Sequence, residues 1–244
     1  MEELPFIKLF GVKITTSSER EILKYIIKNL GEKGSKLFIT TPNPEIIMYA
    51  LSHPEFKSKL NKADIGLADG VGVPIAVLLT QNIKLHRVTG TDLLEKLCSK
   101  LSKSPYSVGF FGGVGGVAEK TAECLQKKYS GLKVSYASSG WDQKKTKGKK
   151  IDVLFVAMGF PKQEEWIYEN LDKIPVSVAM GVGGAFDFFS GKISRAPKLI
   201  RTFGLEWFYR LIHQPWRIKR QLVLTSFSLL VFKEIFTSRL SSKP

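Results

Sequence analysis

The chain has 244 residues and a net charge of +15, from 37 Lys and Arg against 22 Asp and Glu, with 43 % hydrophobic residues. That much apolar surface excludes disorder and fits one domain, or one domain with an addition. Two cysteines, Cys98 and Cys124, exclude a disulfide scaffold and suit a reducing compartment. The opening MEELPFIKLF is acidic where a signal peptide is basic, and no window reaches 18 uncharged apolar residues, so neither a leader nor a membrane-spanning helix is expected.

Residues 1–190 alternate strand-like and helix-like runs. Phe10–Thr15 reads as a strand, after which Ser17 and Ser18 offer caps to an amphipathic helix, Glu19–Leu30. A β-rich run, Lys36–Thr41, ends in Thr41-Pro42-Asn43-Pro44, with Pro44 suited to the first turn of the next helix. Strand Ala63–Ala68 ends at Asp69-Gly70 and leads into the apolar stretch Val71–Leu79; Thr91 caps a helix, Asp92–Leu101. The cycle repeats with strand Tyr106–Phe111, a glycine turn at 112–116, helix Val117–Tyr129 and strand Lys133–Ala137. A polar loop runs through Lys150, followed by strand Ile151–Met158, helix Lys162–Leu171 and strand Val176–Met180. This spacing predicts an α/β fold: a parallel, Rossmann-like sheet with helices on both faces. Ligands of such sheets gather at the carboxyl ends of strands, where Thr41, Asn43, Asp69, Gly112 and Gly181 are expected to converge. Lys144, Lys145, Lys147, Lys149 and Lys150 lack interleaved aromatic residues, so they read as a solvated loop and no nucleic-acid partner is expected.

Beyond 190 the strands stop. Residues 191–244 read as a basic, amphipathic C-terminal helical appendage, with helices Leu199–Ile212 and Trp216–Phe236. From Lys192 onward eleven basic side chains face only Glu206 and Glu234, which implies an anionic partner. The twelve uncharged residues between Arg220 and Lys233 are too few to span a bilayer. They suit either a helix lying in an anionic headgroup region or one packed on the core or on a second subunit, which leaves a homo-oligomer open.

Candidate chemistry starts from absences. There is no zinc spacing, P-loop lysine, nucleophile elbow or Asp-x-Asp, so no metal site is expected, and no cofactor. Asp69, at a strand end, is either a catalytic base or the cap of the following helix. Thr41 and Asn43 offer neutral hydrogen bonds to sugar hydroxyls, or simple turn chemistry. Arg87 suits an anion or the surface, and Gln163 reaches a ligand or solvent. Gly112, Gly113 and Gly115 sit between strand and helix as phosphate-cradling glycines do. Gly113-x-Gly115-x-x-Ala118 fits a dinucleotide pattern, but no strand-terminal acid follows about 20 residues on. A nicotinamide oxidoreductase and a non-catalytic basic adaptor therefore remain alternatives. Arg210, Arg217 and Arg220 share one side of a helical path if Pro215 leaves it continuous, and arginine forks suit diphosphate oxygens.

Thr41-Pro42-Asn43, Ala68-Asp69-Gly70, Arg87-Val88-Thr89-Gly90 and Pro161-Lys162-Gln163-Glu164 stand in this order along the chain. Gly184-Ala185-Phe186-Asp187, Arg195-Ala196-Pro197, Gly204-Leu205-Glu206-Trp207 and Arg210-Leu211 follow. Together they resemble the WecG/TagA/CpsF glycosyltransferases, most closely the TagA branch of wall teichoic acid synthesis. The resemblance implies an inverting transfer of N-acetylmannosamine from its UDP donor to undecaprenyl-diphospho-N-acetylglucosamine, in a β-1,4 linkage. Another UDP-sugar, such as UDP-N-acetylmannosaminuronic acid or UDP-glucose, stays open as donor. By position, Asp69 would be the base, and Thr41, Asn43, Arg87 and Gln163 would line the substrate pocket. Asp187 would lie near the uracil, and Arg210, Arg217 and Arg220 would come from a tail that completes the site. The enzyme would sit peripherally on the inner face of a bacterial membrane.

Overall fold

The computed structural model describes residues 3–215 and 218–241. The chain opens with an antiparallel hairpin, β1 (Phe6–Leu9) and β2 (Val12–Thr15), rather than the single strand predicted from Phe10. Phe10 itself occupies the turn at φ 50°, ahead of Gly11 at φ 79°. A bulky residue rarely adopts that conformation, so composition gives no hint of it. Helix α1 (Glu19–Leu30) begins as predicted. The Ser18 hydroxyl accepts from the Glu21 N–H, and the Glu21 carboxylate accepts from the Ser18 N–H, a reciprocal cap.

The order continues β3 (Leu37–Thr40), α2 (Pro44–Ser52), α3 (Pro54–Leu60), β4 (Ile65–Gly66), α4 (Gly72–Gln81) and α5 (Gly90–Leu101). Thr89, not Thr91, caps α5: its hydroxyl accepts from the Asp92 N–H and donates to the Asp92 carboxylate. Then come β5 (Ser107–Gly112), α6 (Val117–Lys128), β6 (Lys133–Ser138), the single turn α7 (Gln143–Thr146) and β7 (Ile151–Ala157). The five lysines around α7 are exposed. Helix α8 (Lys162–Asn170), β8 (Val176–Gly181) and α9 (Ala185–Phe189) follow.

Six strands form one parallel sheet, ordered β4-β3-β8-β7-β5-β6. All seven residues of β7 are buried, as a strand covered on both faces requires. Val153 and Phe155 face a core shared with α1, α5 and α6; Leu154 and Val156 face one shared with α8. Each such side chain contributes about 1.5–3 kcal/mol by leaving water.

After α9 come α10 (Lys198–Thr202), α11 (Glu206–His213) and α12 (Ile218–Ser241). The helix predicted over 199–212 is therefore broken at Phe203–Leu205. Gly204 turns the chain at φ 74°, and a Cβ there would lie 1.9 Å from Val71 Cγ1. The break is a local cap: the Leu205 N–H donates to the Ile200 carbonyl and the Gly204 N–H to the Arg201 carbonyl, with glycine in the left-handed position. Pro215 does not leave the path continuous either, since α11 ends at His213 and α12 starts at Ile218. Phe227 and Val231 of α12 are buried in a third core with the hairpin, α2, α3 and α4. Among the described residues no helix is long and apolar enough to cross a membrane.

Candidate active site

Two adjoining cavities lie at the carboxyl ends of the strands. The first, of about 330 Å³, spans the ends of β3, β5, β7 and β8 and is lined by Thr41, Asn43, Gly113, Gln163 and Asp187. The second, of about 380 Å³, lies beneath the C-terminal helices and is lined by Arg87, Glu206, Trp207, Leu224 and Phe227. Asn43, Glu45, Asp69, Thr91 and Arg210 line both.

Asp69 sits where the short strand β4 runs out. Its N–H donates to the Pro42 carbonyl (3.1 Å), and its Oδ1 accepts from the Gly70 N–H (2.9 Å). It does not cap α4, whose cap position is Val71 with no side-chain cap bond. Burial raises its pKa from the usual aspartate range to about 7. The Gly70 hydrogen bond opposes the rise, the Glu206 and Asp92 carboxylates add to it, and Arg87 draws it down slightly. A carboxyl half-ionised at neutral pH is well matched to taking a proton from a hydroxyl.

The neutral groups are held from the sheet. The Thr41 hydroxyl, buried, donates to the Gly181 carbonyl (3.4 Å). Asn43 caps α2 through Oδ1, which accepts from the Ile46 N–H (2.9 Å), so the turn chemistry is real and the Nδ2 donors are left for a ligand. Gln163 is buried rather than solvated: its Oε1 accepts from the Gly183 N–H (3.0 Å) and its Nε2 donates to Glu164 Oε1 (2.8 Å). Gly113 lines the first cavity, but its N–H is spent on the Ala157 carbonyl (2.9 Å). Gly112 ends β5 against the Ala157 backbone, and Gly115 stands in open space, so neither borders that cavity. Asp187 does border it, with Lys192 3.7 Å away.

Arg210 reaches the site from α11. Its Nη2 donates to the Gly184 carbonyl (3.3 Å), and its guanidinium lies 4.6 Å from the centre of the Phe188 ring. A Cβ on Gly184 would meet Arg210 Nη2 at 2.5 Å, so a larger residue there would displace the guanidinium. Arg217 lies outside the described residues, as does the side chain of Arg220. Arg87 lines the second cavity while its Nη2 donates to the Arg201 carbonyl (2.8 Å).

Sequence reasoning gave no role to a charged cluster beside the site. Arg195 bonds Asp92 (2.7 Å) and Glu206 (3.3 Å) and lies 3.7 Å from Glu95; Arg201 lies 3.6 Å from Asp92. Burial alone would raise the Asp92 carboxyl, but the Thr89 hydroxyl and the Arg195 guanidinium outweigh it and hold it below the usual value. Arg195 and Glu206 stand within the quoted motifs, which is the one signal that pointed to them. Among the described residues no three His, Cys, Asp or Glu side chains gather as a metal site would need.

The family model described as "Glycosyl transferase WecG/TagA/CpsF family" matches residues 7–241. A Bacillus subtilis N-acetylglucosaminyldiphosphoundecaprenol N-acetyl-beta-D-mannosaminyltransferase is 32 % identical over 232 residues, covering 93 % of this chain and 91 % of its own. Proteins of the same name from Bacillus spizizenii (36 % over 219 residues; 87 % and 84 % covered) and Staphylococcus aureus (34 % over 208; 83 % and 81 %) are also similar. Such likeness along nearly the whole length leaves no place for a nicotinamide oxidoreductase or a non-catalytic adaptor: the chain belongs to the WecG/TagA/CpsF family of glycosyl transferases.

Proposed function

We propose that this glycosyl transferase moves N-acetylmannosamine from its UDP donor to the 4-hydroxyl of N-acetylglucosamine on undecaprenyl diphosphate. The product is β-1,4-linked, formed with inversion and without a metal ion, as a step of wall teichoic acid synthesis. The names of the relatives support the acceptor and the sugar transferred. The observation that carries the reading is Asp69, with a pKa of about 7, in the wall shared by a polar cavity and an apolar one.

In this reading the nucleotide sugar fills the first cavity, near Thr41, Asn43, Gln163 and Asp187. The acceptor sugar enters the second, its lipid running out between the C-terminal helices. As the acceptor oxygen bonds to the anomeric carbon, its proton passes to Asp69. The bond to the diphosphate breaks on the opposite face, and UDP departs with the electron pair. Inversion needs only this one displacement and one base. The negative charge that develops on UDP is met by Arg210, and by Arg217 and Arg220 from the tail, in the role a divalent ion plays elsewhere. We assign residues 1–190 to catalysis and 191–244 to completing the site and meeting an anionic membrane surface on its cytoplasmic side, where the lipid acceptor resides.

The decisive experiment is a donor screen with a short-chain diphospho-N-acetylglucosamine lipid, reading UDP release with and without EDTA. UDP-N-acetylmannosamine should be turned over fastest, and equally well in EDTA. Preference for another UDP-sugar would overturn the donor, and loss of turnover in EDTA would overturn the arginine mechanism.

A further inference from the structure

We infer that α4, a helix of the sheet-bearing part of the chain, is itself a membrane-contacting element whose partner is an anionic lipid surface. Helix α4 contains no charged residue. It buries Val73, Ala76 and Val77 in the core that also takes Phe227 and Val231 of α12. A helix with its far side in water carries polar residues there. Here the far side carries Ile75, Leu78 and Leu79, at the i, i+3, i+4 spacing of one face, and these are 53 %, 47 % and 52 % exposed. The neighbouring α12 repeats the pattern: with Phe227 and Val231 turned inward, Leu222, Leu229, Phe232 and Phe236 stand exposed. Helix α4 is thus apolar on both faces and leaves its outer one for a non-aqueous partner, while α12 adds exposed apolar side chains among polar ones such as Ser228 and Lys233.

Charge selects the partner. Between Asp69 and Asp92 there is no acidic residue, while Lys84 and Arg87 are basic, and beyond residue 191 eleven basic residues face two acidic ones. Lys84, just past α4, and Lys233, on α12, are exposed, and apolar faces with cations beside them fit the headgroup region of an anionic bilayer, where buried area and electrostatic attraction add. The second cavity lies between these same helices, with Val71 and Gly72 of the α4 end on one side and Leu224 and Phe227 on the other. A lipid-linked substrate would thus reach Asp69 from the surface on which both helices rest. That last point rests on the proposed function; the surface itself does not.

The test is partition of the full chain onto sedimented vesicles, phosphatidylglycerol mixed with phosphatidylcholine against phosphatidylcholine alone, with no donor or acceptor present. The triple variant Ile75→Gln, Leu78→Gln, Leu79→Gln should lose at least about tenfold in partition onto the anionic vesicles. Its turnover of a water-soluble short-chain acceptor should stay unchanged. Should the triple variant fail to fold, Leu79→Trp decides instead, by raising partition several-fold. Unchanged partition in the variants overturns the inference. So does a wild-type dimer that the triple variant abolishes while vesicle binding persists, since the face then belongs to a second copy. A chain that binds vesicles through α4 yet transfers no sugar would sink the proposed function and leave this surface standing.

Discussion

The strand-end cavity and the helices that roof its neighbour are built on opposite principles. Strand β7 buries every one of its residues, whereas α10 and α11 bury none. Thr41, Gln163 and Asp69 take their positions from the sheet and its turns. The roof is tied down by guanidinium groups instead: Arg195 to Asp92 and Glu206, Arg87 to the Arg201 carbonyl, Arg210 to the Gly184 carbonyl. Phe227 and Val231 of α12 add one apolar plug. Packing responds little to moderate salt, while charged contacts near the surface weaken with it. The cavities therefore join a fixed Asp69 to a roof whose hold depends on its surroundings.

That contrast can be tested from either side. The largest effect is expected on the fixed side. Asp69→Asn should cut turnover by about 10²–10⁴-fold with UDP binding retained, measured by single-turnover kinetics and titration. Wild-type kcat/KM should climb with pH and level off above about 7, because the raised pKa keeps the base protonated below that point; the variant should lose the step. Near-wild-type turnover in Asp69→Asn would remove the base from the mechanism.

On the roof, Arg210→Ala should lower kcat by about 10²-fold through the departing diphosphate. A rise in KM alone would make it a binding contact only. Arg195→Leu acts one step removed. It strips Glu206 of its counter-ion, leaves Asp92 only Arg201, and costs on the order of 3 kcal/mol in denaturant unfolding. Both carboxylates already push Asp69 upward, so the pH midpoint of kcat/KM should move up as well. A purely structural role would leave that midpoint in place.

The smallest effect belongs to Glu164, fully buried beside Gln163, its Oε2 without a partner among the described residues. Burial raises its pKa to about 7. The folded state holds this proton more tightly than the unfolded chain does, so the destabilisation is absent below the unfolded pKa and complete above about 7. Glu164→Gln should raise the melting temperature at pH 8 and leave it unchanged near pH 4. A gain at both would mean that charge is not the cause.

Much of the fixed side was legible in the sequence, and little of the roof. Ser18 and Glu21 announce α1 through a local cap, and alternating strands and helices announce the parallel sheet. Strand ends then bring Thr41, Asn43 and Asp69 together by topology alone. What the reading missed depends on neighbours far along the chain. Arg195 meets Asp92 across 103 positions; the break at Gly204 is the exception, a local glycine cap that the reading passed over. An isolated aspartate titrates near 3.9, too low for an effective base, and only tertiary burial moves Asp69 out of that range. Sequence put the residue at a strand end; its raised pKa comes from the fold.

The joint at Gly204 has a practical corollary for anyone reshaping this enzyme. With a lone hydrogen wedged against Val71, the bend has no slack to absorb even a methyl group, so enlarging residue 204 would pry the roof off its seat. Trimming Val71 is the opposite operation: it would widen the second cavity from its sheet side, leaving the bend itself untouched.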